Sequence, residues 1–292
     1  MAVLHDPKLL VDGLIFPESP RWHDNKLWFV DMFAGQVLTS DLEGKAEVMR
    51  QFDDRPSGIG FLPDGSAIVT LMAQKKVVRI DNGEIHADLS DLGGDYLNDM
   101  VVDPKGRAFV DYYGPRPPDE GSPDAIWTDA IITVEPNGDV GPVTRGDMVR
   151  RPNGVVITPD GMTLIAAMPP LRKLISFSIG DDGSLSKPEV FASTDPDHLD
   201  GICLDAEGAI WVASPRTNRF LRIRSDGRVT DTIPVEGKWA IACMLGGPQR
   251  KTLFLATAHV PENPRGGMDG NLHESKGYIE MVDVEVPGAG LP

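Results

Sequence analysis

Along most of the chain, short apolar runs alternate with polar positions at a period of two and are interrupted every few residues by Pro, Asp and Gly. That pattern predicts strands joined by tight turns. A short alternating run, a Pro/Asp/Gly turn and a second β-rich run such as Leu27-Trp28-Phe29-Val30, Ala67-Ile68-Val69-Thr70 or Ala209-Ile210-Trp211-Val212 together predict a β-hairpin. A third run, for example Lys76 to Ile80, a turn at Asp81-Asn82-Gly83 and a fourth run complete a unit of about four strands, the size of a propeller blade.

The unit repeats. The segments that begin at Ser57, Asn98, Asn153 and Asp200 superimpose without a gap, and each carries a glycine eight positions on, at Gly65, Gly106, Gly161 and Gly208. A fifth copy begins at Glu18, and a more divergent sixth begins near Ala242, with the longer turn Gly246-Gly247-Pro248-Gln249. Successive starts lie 39, 41, 55, 47 and about 42 residues apart, which predicts six blades in a single all-β domain, a six-bladed β-propeller covering 1–292. A β-sandwich would also need many turns, but it has no reason to repeat in register. The long intervals place insertions at Pro115 to Asp129 and at Asp195 to His198. The amino-terminal segment, Ala2-Val3-Leu4 and Lys8 to Val11, lacks a hairpin of its own, and part of it is expected to close the sixth blade and seal the ring.

In a propeller the innermost strands line a central channel, so equivalent repeat positions form a ring. Here the ring runs Glu18, Ser57, Asn98, Asn153, Asp200 and then Ala242 or Cys243, all at one mouth. Two carboxylates with no Lys or Arg in the ring invite a divalent cation, because buried charge is costly unless paired or metal-bound. An all-oxygen set suits hard cations, Ca²⁺ first, with Mg²⁺ and Mn²⁺ beside it. The alternative is that Asn, Asp and Ser serve local turn hydrogen bonds at strand entries.

The stretches Glu18-Ser19-Pro20-Arg21-Trp22, Leu97-Asn98-Asp99-Met100, Arg151-Pro152-Asn153-Gly154-Val155 and Leu199-Asp200-Gly201-Ile202 resemble the blade-start motifs of the SMP-30/gluconolactonase/LRE (regucalcin-like) family. The resemblance implies a metal-dependent lactonase. It implies one divalent ion on Glu18, Asn153 and Asp200, with Fe²⁺ and Zn²⁺ also in the range of metals. It places Asn98 at the metal or the substrate. Asp200 is then the candidate general base for the attacking water, and Asn98 the residue that orients it. Sugar-lactonase relatives often carry an arginine two positions before the second motif's asparagine, where this chain has Tyr96. Tyr96, Tyr113, Trp239 and His259 are therefore candidates for a more apolar substrate wall, and His198 is a candidate contact beside Asp200.

Composition narrows the alternatives. A formal charge of −16 would repel phosphate backbones and anionic lipid, so neither nucleic acid nor membrane is an expected partner. No apolar stretch is long enough to span a bilayer and no signal-peptide pattern opens the chain, which makes a cytoplasmic protein the expectation. Cys203 and Cys243 sit in apolar runs as small buried hydrophobes. No Gly-x-Ser-x-Gly elbow and no His-Glu-x-x-His motif is present. A small-molecule substrate and a monomer or weak homo-oligomer are expected. The same site could instead serve phosphotriester or ester hydrolysis or an elimination, and a propeller could also act as a non-enzymatic ligand-binding scaffold.

Overall fold

The computed structural model describes residues 6–119, 122, 125–195, 197–262 and 270–290. They form six four-stranded antiparallel sheets. The first blade is β2 (Pro17–His23), β3 (Lys26–Asp31), β4 (Gln36–Ser40) and β5 (Ala46–Gln51), and the second is β6 (Pro56–Phe61), β7 (Ala67–Leu71), β8 (Lys76–Arg79) and β9 (Ile85–Asp88). The third comprises β10 (Tyr96–Val102), β11 (Ala108–Tyr113), β12 (Ala130–Val134) and β13 (Val140–Thr144). The fourth comprises β14 (Asn153–Ile157), β15 (Thr163–Met168), β16 (Lys173–Ser178) and β17 (Glu189–Ser193). The fifth comprises β18 (Ile202–Leu204), β19 (Ile210–Ser214), β20 (Arg219–Ile223) and β21 (Val229–Pro234). Blade six takes β22 (Trp239–Gly246), β23 (Thr252–His259) and β24 (Lys276–Asp283) from the end of the chain and β1 (Lys8–Leu14) from its start.

β1 pairs antiparallel with β24, so the expected closing strand exists; Ala2-Val3-Leu4 lie outside the described residues. The innermost strands contact one another in sequence, β2 with β6, β6 with β10, β10 with β14, β14 with β18, β18 with β22 and β22 with β2, which closes the ring. Apolar side chains of neighbouring blades interlock between the sheets, as where Leu97, Met100 and Val102 of blade three meet Leu62, Ile68 and Val77 of blade two. The four glycines in the repeated turns all take positive φ, between 71° and 86°, which accounts for their fixed spacing. Among the described residues, no helix is long and apolar enough to cross a membrane.

Two local features aim residues into the channel. Pairing between the first two strands slips at the start of the inner strand in five blades: between Glu18 and Arg21, Pro56 and Ile59, Leu97 and Met100, Asn153 and Val155, and Ala240 and Ala242. A bulge re-aims its side chains, so the repeated motif is a repeated bulge. In the sixth blade the residue that the slip leaves unpaired is buried Ile241, and the expected sixth positions Ala242 and Cys243 are buried and apolar beside it. The second feature is close approach between blades. A Cβ on Gly154 would stand 2.6 Å from the Asp200 carbonyl oxygen, and one on Gly201 would stand 2.5 Å from the Cβ of Ala242. The glycine after Ser57, Asn153 and Asp200 lets adjacent inner strands converge there.

At its other end the channel is apolar. Val101, Val156, Leu204, Met244 and Ala289 line it around the stem of Arg21. The carboxy-terminal segment crosses that end, with Ala289 N–H donating to the Leu204 carbonyl at 2.9 Å and Gly288 N–H to that of Arg250 at 2.7 Å. Cys203 and Cys243 are free and buried, their sulfurs 3.7 Å apart, as the packing reading expects.

Candidate metal centre

Glu18 begins at the bulge of β2, Asn153 opens β14 and Asp200 lies two residues before β18, each partly open to the mouth. The Asn153 carboxamide hydrogen-bonds the Asp200 carboxylate, and Glu18 lies close enough to Asp200 for their charges to oppose each other. Three residues from blades one, four and five thus converge. Burial pushes the Glu18 carboxyl well above its ordinary value, and the negative charges of Asp200 and Asp99 push it further. Asp200 is likewise raised by burial and by Asp99, against the hydrogen bond from Asn153 that lowers it.

The nearest guanidinium does not neutralise this pair. Arg21, on the same inner strand as Glu18 and one layer deeper, gives Nη2 to Asp99 at 2.7 Å and to the Met100 carbonyl at 2.9 Å. Its Nε and Nη1 go to the carbonyls of Ile59 and Pro20. Asp99 also accepts from the Ser19 hydroxyl at 2.9 Å and the Met100 N–H at 2.8 Å. The Arg21–Asp99 layer is therefore satisfied within itself and forms a floor beneath Glu18 and Asp200. The sequence reading quotes both residues in their motifs yet gives neither a role; their adjacency to ring residues is the signal that marks them.

The donor set fits one divalent ion. Two carboxylates are held near each other against their mutual repulsion, without a facing cation, beside a carboxamide whose Oδ1 keeps a lone pair after accepting the Gly154 N–H. Among the described residues no group of three His, Cys, Asp or Glu stands close enough to hold a metal.

Asn98 is buried and held at both ends of its carboxamide. Ser57 Oγ donates to its Oδ1 at 3.2 Å, and its Nδ2 donates to the Tyr113 hydroxyl at 2.9 Å. Thr70 Oγ1 bridges its backbone carbonyl to the Gly58 N–H. Tyr113 faces Tyr96 directly across the β10–β11 ladder, and burial first, then the charges of Asp111 and Asp200, raise its phenol well above the ordinary value. It stays protonated. Both tyrosines are therefore at the mouth on blade three, as the sequence suggests. Trp239 opens β22 and packs against the core between blades six and one. His198 has Arg216, Arg172 and Asp197 as electrostatic neighbours, none of them a ring residue, and burial and the two arginines lower its pKa. His259 is exposed, with its Nδ1 2.9 Å from the Gly237 carbonyl oxygen.

The insertion predicted at 115–129 joins β11 to β12 and so leaves from the mouth side; Glu120, Gly121, Pro123 and Asp124 lie outside the described residues. Where it returns, Asp129 accepts the N–H groups of Gly114 and Arg151 at 2.9 and 2.8 Å. The insertion predicted near 195–198 lies between β17 and β18, Pro196 being outside the described residues.

A closed ring of six blades with an acidic, oxygen-rich mouth above an Arg21–Asp99 floor defines a class of propellers built around a polar site on the channel axis. The chain belongs to the family whose model is described as the SMP-30/gluconolactonase/LRE-like region, matched over residues 16–259. It is 24% identical over 288 residues to a 6-deoxy-6-sulfogluconolactonase of Pseudomonas putida, covering 95% of this chain and 94% of that one. It is 24% identical over 256 residues to regucalcin of Danio rerio, covering 83% of each. The crystal structure of a calcium-binding protein, regucalcin, from Agrobacterium tumefaciens superposes with a TM-score of 0.78 at 21% identity, over 100% of this chain and 99% of that one.

Proposed function

We propose that this protein is a metal-dependent hydrolase that opens a lactone ring at the channel mouth, with Glu18, Asn153 and Asp200 holding one divalent ion, Ca²⁺ first. The observation that carries the reading is the convergence of two carboxylates and a carboxamide from three blades, with no ion pair to either carboxylate among the described residues. Support comes from the family and from a relative named for the hydrolysis of a sugar lactone.

When bound, the ion polarises the lactone carbonyl and offsets the negative charge that develops on its oxygen. Asp200 accepts a proton from the attacking water as that water's oxygen bonds to the carbonyl carbon. The same proton is then available to the ring oxygen when the ring C–O bond breaks, leaving a hydroxy acid. Asn98 orients substrate or water: both ends of its amide are fixed by Ser57 and Tyr113, so its remaining N–H and lone pair have defined directions. Tyr96, Tyr113 and Trp239 give the substrate aromatic wall, and His198 is the more peripheral candidate.

The test is a panel of sugar and apolar lactones followed by acid release, before and after chelation, with each of Ca²⁺, Mn²⁺, Mg²⁺, Fe²⁺ and Zn²⁺ added back. Turnover that disappears on chelation and returns with a cation is expected. Turnover that survives complete removal of metal, or none on any lactone, overturns the reading.

A further inference from the structure

Arg151 stands out from every other buried or half-buried cation at the mouth. It sits between the insertion's return and the Pro152-Asn153 motif, with its backbone in the left-handed region at φ 46°, a conformation an arginine pays for with strain. Its side chain is 11% exposed, and its Cζ lies 4.8 Å from the centroid of the Tyr113 ring. The Nε is buried without a hydrogen-bond partner among the described residues. Its nearest acid is Asp129 Oδ1, at 3.9 Å from Nε, beyond hydrogen-bond reach, and both oxygens of Asp129 already accept backbone N–H groups. A guanidinium held by stacking and backbone geometry, with its donors unspent, is uncommon, since buried donors are nearly always paired. Beside it, Arg55 lies over Tyr96 at 5.3 Å, and Tyr96 and Tyr113 are direct cross-strand partners. Two guanidinium-on-tyrosine stacks thus stand together on blade three, and the Tyr113 hydroxyl reaches Asn98.

We propose that Arg151 is a specificity residue that receives an anionic group on the substrate, so that the preferred lactone carries a carboxylate or sulfonate away from the ring carbonyl. This rests on the lactonase reading and narrows it to a substrate class. The planar fork of Arg matches either anion in bidentate fashion, and stacking on Tyr113 through its face fixes the plane in which the fork's donors lie. The requirement is sharpened by the surroundings. With Glu18, Asp200, Asp99 and Asp129 nearby and a chain charge of −16, an anionic substrate needs a local cation to enter at all. It also supplies the arginine that Tyr96 leaves missing from the second motif, by a different blade connection and for a charged group rather than a hydroxyl.

The experiment compares kcat/KM on lactones matched in ring size, one bearing a carboxylate or sulfonate and one a neutral hydroxymethyl at the same carbon. Wild type is expected to favour the anionic member at least tenfold, and the ratio is expected to fall to about one in Arg151→Gln, with Arg151→Lys between them because a point charge cannot form the fork. In parallel, calorimetry with a non-hydrolysable tetrahydropyran carboxylate and its carboxamide measures the subsite without turnover. Tighter binding of the carboxylate, lost in Arg151→Gln, supports the proposal even if no lactone is hydrolysed, in which case the lactonase reading falls alone. No charge preference in wild type, or an equal loss on both members of each pair in Arg151→Gln and Arg151→Lys, overturns the proposal and leaves the lactonase reading standing.

Discussion

The inner strand of blade five is flanked by an acid at each end, Asp200 at the mouth and Asp205 at the turn, and the two ends are treated in opposite ways. At the turn end, Asp205 accepts the N–H groups of Glu207 and Ala209 on one oxygen and Arg222 Nε at 2.6 Å on the other; Asp103 is held likewise by Lys105, Arg107 and the Arg107 guanidinium. At the mouth end, Asp200 has a carboxamide and a second carboxylate for company. The Arg21–Asp99 pair marks the boundary between them. The turn acids are buried because they tie backbone and side chain together locally, whereas the mouth acids Glu18 and Asp200 form no ion pair among the described residues and are pushed up by burial and by the charge of neighbouring carboxylates.

The largest expected effect breaks the comparison at the mouth. Asp200→Asn is expected to lower metal-supported turnover about 10³-fold, by removing both a ligand and the proton acceptor, while the metal-free protein unfolds at no lower urea concentration than wild type. Steady-state kinetics and urea titration on the same preparation check it, and a variant that unfolds much earlier would make Asp200 a structural acid like Asp205. Next in size, Asp205→Ala leaves Arg222 buried without its main partner and is expected to cost about 3 kcal/mol of stability, measured by urea unfolding, while kcat per folded molecule stays within a few fold.

What the sequence made legible follows the same division. The blades were readable because a turn glycine and a ring residue recur at a fixed separation, and that spacing is itself a product of the bulge and the turn. The convergence of Glu18, Asn153 and Asp200 was readable because repeat register converts sequence position into position around an axis. The Arg21–Asp99 layer was not, because the partners are 78 residues apart and a motif carries no distance between blades. Arg151 was equally hidden: its place over Tyr113 depends on how Asp129 brings the insertion back, and no periodicity records that.

A third test sharpens the comparison by supplying the missing charge. Dialysing the protein against a chelator and then adding a cation at about a hundred times its Kd is expected to raise stability by about 2.7 kcal/mol, seen as a rise in Tm of about 5 °C. The same increment should appear in Asp205→Ala and be largely lost in Asp200→Asn. An increment that survives Asp200→Asn would place the ion elsewhere.

The smallest effect concerns a carboxyl that belongs to neither set. Asp111 on β11 is fully buried, and neither of its oxygens has a hydrogen-bond partner among the described residues. Burial first, then the charge of Asp99, raises its pKa well above the usual aspartate value, with Arg21 opposing. A carboxyl raised on folding contributes stability that is fully present below the unfolded value, near 3.9, and is lost as pH rises through the folded value. Asparagine at this position does not titrate, so Asp111→Asn should match wild type at pH 3 and gain on it as pH rises. By pH 7 the gain is expected to reach at least about 1 kcal/mol, since each pKa unit by which folding raises the carboxyl is worth about 1.4 kcal/mol. Urea unfolding across that range reads the slope directly. A gain that does not change with pH would mean that Asp111 keeps the same charge in the folded and unfolded chain, which would move it into the paired set with Asp103 and Asp205.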